Sequence, residues 1–147
     1  MWQRSAFLLA AIAFLTWLGF VIYRAQSAPG GPQAIAWDSE NCSECHMLIS
    51  DRKFAAQLQD GGRAINFDSP ACLMAYLKRR HPHVDAIYFG DSESGRWLKS
   101  EEAGFVRGAQ GPMGNGLAAV PKTTPGALSF TQAFREISQG HSAKGGM

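Results

Sequence analysis

The chain has 147 residues, a formal net charge of +2 and 18% charged side chains, which leaves material for one small domain with a single core and excludes a second. Its lysines and arginines are scattered rather than striped, so it carries no electrostatic footprint for nucleic acid. Three cysteines cannot all pair within one chain.

Residues 6–23 are almost wholly apolar and are bracketed by Arg4 and Arg24, a run long enough to cross a bilayer core when its flanks snorkel. Ala25-Gln26-Ser27 is a passable small-x-small cleavage site, so 1–24 reads as a membrane anchor or a signal peptide. The anchor is favoured, because the run exceeds the h-region of about 7 to 15 residues typical of a signal. Arg4 favours a cytoplasmic amino terminus, and either reading exports the rest. The expectation is a single-pass protein of the cytoplasmic (inner) membrane whose domain faces the periplasm. Residues 25–36 contain QSAPGGPQ and read as a linker that cannot continue a helix. A domain over 37–139 and a flexible tail over 140–147 complete the division.

Within that domain, 53–59 and 64–67 read as strands joined at Asp60-Gly61-Gly62, a hairpin signal. Ser69 as N-cap and Pro70 at the first helical position launch a helix over 71–80, with Leu73, Met74 and Leu77 on its apolar stripe. His81-Pro82 stops it, and Lys78-Arg79-Arg80-His81 reads as a solvated helix end facing the dipole. Residues 85–89 and 96–98 make a second hairpin. One helical turn is expected over 100–103, short strands at 105–106 and 117–120, and a last helix from a Ser129 or Thr131 cap to about 138. The sum is a small α+β domain. Two strand-strand-helix-strand passes can be drawn, from about 53 to 89 and from about 87 to 120.

The chemistry concentrates in Cys42-Ser43-Glu44-Cys45-His46-Met47. Cys42, Cys45 and His46 satisfy the C-x-x-C-H spacing for covalent haem, but the flanking residues read as strands rather than as the helices that bury a porphyrin. A structural zinc site wants four ligands, and no second C-x-x-C pair is present. A redox dithiol would sit at a helix N-terminus, whereas 46–51 run more like a strand. Cu(I) is soft and is held by thiolate with thioether or imidazole in low-coordinate sites, so Cys42, Cys45, Met47 and His46 suit it best. Met113, in the loop Gly111-Pro112-Met113-Gly114-Asn115-Gly116, is either a further donor or a packed turn residue. Cys72, among apolar neighbours, reads as a buried small hydrophobe.

The hexapeptide with Leu48-Ile49, Phe54-Ala55-Ala56-Gln57, Asn66-Phe67-Asp68, Cys72-Leu73-Met74-Ala75-Tyr76-Leu77 and the 111–116 loop together resemble the NosL family of nitrous-oxide-reductase accessory proteins. The resemblance runs from about 41 to 120. It implies a fold related to the organomercury lyase in its strand-strand-helix-strand units. It also implies an exported, membrane-tethered Cu(I)-binding chaperone that delivers copper to nitrous oxide reductase. By position, Cys42, Cys45 and Met47 match the family's C-x-x-C-x-M block and Met113 its Pro-Met-Gly block. Two departures stand out: His46 occupies a position where the family commonly has Gly, and no cysteine precedes Cys42 at an export junction. No nucleophile-base pair, phosphate loop or carboxylate dyad has recognisable spacing, so no catalysis is expected. The rival readings are a c-type cytochrome with haem at Cys42, Cys45 and His46, and a thiol oxidoreductase using Cys42 and Cys45.

Overall fold

The structure, a computed structural model, describes residues 12–23, 30–109, 111 and 116–140. The chain divides into two compact units, Met1–Gly31 and Pro32–Met147. In the first, residues 12–23 form helix α1 with its large apolar side chains exposed.

Among the described residues no helix is long and apolar enough to cross a membrane. This overturns the expected single-pass placement in the inner membrane with a periplasm-facing domain. The described helix, residues 12–23, rises about 18 Å at ~1.5 Å per residue, short of the ~30 Å hydrocarbon core. The proposed cleavage site at Ala25-Gln26-Ser27 and the tail from 141 onward lie outside the described residues.

The second unit is built around a four-stranded antiparallel sheet of order β2-β1-β3-β4, with β1 Ala56–Asp60, β2 Arg63–Phe67, β3 Ala86–Gly90 and β4 Trp97–Lys99. The first hairpin turns through Gly61 and Gly62, both at positive φ (56° and 80°), the backbone that a two-residue turn between twisted strands requires. β1 is central, pairing Leu58 with Ile65 on one side and with Ile87 on the other. It is covered on both faces, so its glutamines need partners as well as its apolar residues. Gln57 has three: the Gln33 N–H donates to its Oε1 (2.7 Å), and its Nε2 donates to the Gln33 carbonyl (3.0 Å) and to Asn66 Oδ1 (2.8 Å). Asn66 in turn donates to Glu40 Oε1 at 2.6 Å.

Helix α2, Pro70–Arg80, begins where the sequence places it, with Ser69 accepting from the Cys72 N–H and Pro70 in its first turn. His81 ends it in the left-handed conformation. β1, β2, α2 and β3 therefore form one strand-strand-helix-strand unit, with the last strand returning beside the first.

The second pass differs from expectation. Residues 100–102 form a turn rather than a helical turn, closed by the Glu102 N–H donating to the Lys99 carbonyl at 2.9 Å, and the chain passes directly into β5, Ala103–Ala109. β5 pairs with β6, Gly116–Pro121, as a separate two-stranded sheet. The expected last helix is present as α3 over Phe130–Ser138, which follows the hairpin and starts at a Ser129–Gln132 capping box.

The sheets meet where the Ser92 N–H donates to the Ala119 carbonyl at 2.8 Å. Their shared core is aromatic: the Phe89 and Phe105 rings meet edge to face with centroids 5.0 Å apart, and Phe130 packs against both at 6.1 and 6.2 Å. Leu73 and Met74 of α2 are fully buried in the same core.

Candidate metal centre

The segment carrying the hexapeptide is a small hairpin arm laid against the end of β2. The Asp38 N–H donates to the Ile49 carbonyl and the Ile49 N–H to the Glu40 carbonyl, and Asn41 bridges Leu48. At the tip the chain closes on itself. The Cys42 N–H donates to the Met47 carbonyl at 2.8 Å, and the His46 N–H to the Cys42 carbonyl at 3.0 Å. The expected strand at 46–51 does not form: residues 43–45 make a turn, and within 46–51 Leu48 alone makes a bridge. Two further contacts pin it: the Ser43 N–H donates to the Asn66 carbonyl (3.0 Å), and Glu44 pairs with Arg79 of α2 at 2.6 Å.

This closure sorts the candidate ligands by exposure. Cys42 is fully buried, Cys45 is half-buried, and His46 and Met47 are exposed, Met47 at 45%. Met113 lies outside the described residues. His46 has φ +63°, a left-handed conformation that costs a side-chain-bearing residue roughly 1–2 kcal/mol. A glycine there would remove that cost, which accounts physically for the residue seen at this place in the family resembled. His46→Gly should therefore stabilise the domain by ~0.5–1 kcal/mol, read as a higher urea midpoint. Cu(I) affinity measured on the same variant then reports whether the imidazole is a donor.

Two residues enter that sequence reasoning missed as ligands. Cys72 and Asp68 bring a sulfur and a carboxylate oxygen to Cys42 and Cys45, and the four donor atoms all lie within 4.8 Å of one another. Cys72 sits in the first turn of α2 and Asp68 just before its cap, so the geometry that starts the helix also aims them at the arm. Their signal in the sequence was indirect: an acid ahead of the Ser69 cap and a cysteine three residues after it, facing the core. All three cysteines are free thiols. Cys72 is buried, as expected of a small hydrophobe, but it is also part of the cluster.

The cluster is electrostatically asymmetric. The Cys42 thiol is held down to about 6, first by a hydrogen bond from the Cys72 thiol, against the opposing effect of burial, and then by the N–H groups of Cys45, Asp68 and Glu44. Cys45 is pushed up to about 11, mainly by burial, with the neighbouring Cys42 adding to it. Cys72 is pushed strongly upward because its proton is engaged by Cys42 and because it is buried. At neutral pH the arrangement is one thiolate with two thiols facing it.

Chemically this is a sulfur cup closed toward solvent except at Cys45. Covalent haem at Cys42, Cys45 and His46 would require Cys42 to turn out of the protein. A thioredoxin-like role would require an accessible attacking thiolate, and the thiolate here is the buried one.

The class defined by fold and site is thus a small mixed α/β domain with antiparallel sheets and a thiol-rich candidate metal centre at a hairpin arm. No protein-family model matches the sequence, and no curated protein matches it. The fold is NosL-like: the chain is similar to the crystal structure of the copper chaperone NosL from Shewanella denitrificans, at 18% identity over 76% of this chain and 89% of that one, with a TM-score of 0.51.

Proposed function

We propose that this protein is a copper metallochaperone that binds Cu(I) at the hairpin arm and hands it to an acceptor apoprotein, nitrous oxide reductase, without catalysis of its own. The observation that carries the reading is the convergence of three free thiols, Cys42, Cys45 and Cys72, with their donor atoms within 4.8 Å of one another. It is supported by the likeness to a protein described as a copper chaperone. Soft sulfur donors of low coordination number suit Cu(I). Cys42 and Cys45 hold the ion, and Met47 stands at the surface as the donor that meets an acceptor. Met113 is proposed as the further ligand to the ion, and His46 as an exchangeable donor beside Met47. The gradient from buried Cys42 through half-buried Cys45 to exposed Met47 is a path along which an acceptor can add ligands before the donor releases its own.

The test is an anaerobic competition titration of the reduced full chain against a Cu(I) chelator, followed by copper transfer to apo nitrous oxide reductase. Binding of about one equivalent that weakens in Cys45→Ser and Met113→Ala supports the assignment. Covalent haem on protein expressed with haem-maturation machinery would overturn it.

Affinity should depend on pH with a definite sign. Binding displaces protons from thiols, and Cys42, with its pKa held down to about 6, is already a thiolate at neutral pH. Above about pH 6 only Cys45, and Cys72 if it binds, must lose a proton. As pH falls through about 6, Cys42 joins them. Apparent Cu(I) affinity should therefore fall with acidification, and more steeply below that point, in titrations between about pH 5 and 8.

A further inference from the structure

We propose that the groove between the C-terminal end of α2 and α3 docks a partner protein, and that its occupant is an amphipathic helix with acidic residues flanking an apolar stripe. The face is defined by its own residues; only the further step, that the partner is the acceptor of the metal, rests on the copper reading.

Leu77, His81, Pro82, Val84, Phe130 and Phe134 line the groove, which has a volume of about 310 Å³ and lies open to solvent. Its shape follows from how α2 ends. His81 turns left-handed at φ +46° and Pro82 cannot resume the helix, so the chain departs and Val84 stands 45% exposed. On the other wall the Phe130 and Phe134 rings of α3 stack with centroids 6.1 Å apart at 19°. Phe130 also packs on Phe89 and Phe105 in the core, which holds that wall in place before anything binds. Leu77 with His81, and Phe130 with Phe134, are i,i+4 pairs, so each helix offers a ridge with a trough between them. A third helix lays its apolar stripe into such a trough.

Charge selects the kind of helix. Lys78, Arg79, Arg80, His81 and His83 are all exposed at this end of α2. Lys78 donates to the Ser138 carbonyl and Arg79 pairs with Glu44 of the arm, while Arg80 meets no carboxylate among the described residues. Asp85, 3.2 Å from His83, is the acid within 78–85. Carboxylates beside apolar anchors therefore complement both parts of the face. A second copy does not, because a two-fold contact would set the cationic end against itself. Residues 141–147 carry His141 and Lys144 and no acidic side chain, so charge disfavours them as well. A bilayer is reached by apolar side chains that project, whereas these phenylalanines line a groove. The face is also tied to the arm: Leu77 lines the groove, and Arg79, two residues on, holds Glu44.

The test is fluorescence anisotropy on the reduced, metal-free full chain with two labelled peptides of about 16 residues, long enough for partial helix. One has leucines at i, i+3, i+4 and i+7 flanked by glutamates; the other has lysine at every glutamate. The expected result is a ~10-fold or greater preference for the glutamate peptide at low salt, shrinking as salt is raised. Val84→Glu and Arg80→Glu should each weaken that binding ~5-fold or more, whereas Arg63→Glu on β2, with the same charge change as Arg80→Glu, should leave it within ~2-fold. All three positions are exposed, so the thermal transitions should stay near the parent's. Equal binding of the two peptides overturns the proposal, as does binding indifferent to Val84→Glu and Arg80→Glu. Self-association lost in Val84→Glu, or binding to phosphatidylglycerol vesicles lost in Arg80→Glu, in place of peptide binding, gives the face to a second copy or to a bilayer and overturns it too. Copper transfer from Val84→Glu should slow ~5-fold at unchanged Cu(I) affinity; an unchanged rate overturns the acceptor assignment. Peptide binding needs no metal, so its failure leaves the copper reading standing, and loss of copper binding leaves the face standing.

Discussion

Replacing Cys42 with serine is expected to weaken Cu(I) binding by ~100-fold or more, about 2.8 kcal/mol. The size follows from where the residue sits. Cys42 is the thiol toward which the Cys72 side chain and the N–H groups of Cys45, Asp68 and Glu44 point, so it is the sulfur already charged near neutral pH. Serine is close in volume and keeps an acceptor for those donors, but its oxygen is hard and stays protonated. The fold should therefore survive while the charged soft ligand is lost. Chelator competition reads the affinity, and a thermal transition within a few degrees of the parent's shows that the loss is local. A change below about 3-fold would move the copper site away from the arm.

The second large effect is structural and lies at Gly90. This last residue of β3 donates its N–H to the Ala55 carbonyl at 2.7 Å, which draws the turn before β1 directly over its Cα. A Cβ at position 90 would overlap the Arg52 carbonyl oxygen and lie 3.1 Å from that carbonyl's carbon and 3.3 Å from the Ala55 oxygen. All of these are backbone atoms, so no side chain can swing aside. Gly90→Ala should cost ~3 kcal/mol or more, a large part of the ~5–15 kcal/mol that holds a small domain together. Gly61→Ala is the control: open space surrounds it, and only its φ of +56° opposes the methyl group, for ~1–2 kcal/mol. Urea unfolding orders the two, and a Gly90→Ala midpoint at or above that of Gly61→Ala would contradict the close approach.

The parts of this architecture that were legible in the sequence are those set by local chemistry. The Asp60-Gly61-Gly62 turn, the Ser69–Pro70 helix start and the Ser129 cap each depend on residues within four positions of one another, and each appears where expected. The first strand-strand-helix-strand pass follows from them. The second did not form as drawn, because β4 completes the first sheet and the three residues after it turn straight into β5.

The site was half legible for the same reason. Cys42 and Cys45 announce themselves by spacing, whereas Cys72 lies thirty residues after Cys42 and reaches it only because the arm docks against the start of α2. Asp68 looked like the lead-in to a helix cap, and nothing local says that its carboxylate is buried. His46 shows the opposite error: a residue read for its imidazole is placed first by its backbone angle.

The hydrogen bonds around Gln57 bear on where a recombinant fragment can begin. A version starting at Ala34 would delete the residue that supplies two of the three partners of a side chain that is fully buried. Each orphaned group would cost ~1–3 kcal/mol, and the loss would pass through Asn66 to Glu40 on the arm that carries the thiols. Fragments that retain Pro32 and Gln33 should show slow amide exchange along β1 and β2, and those that omit them should not.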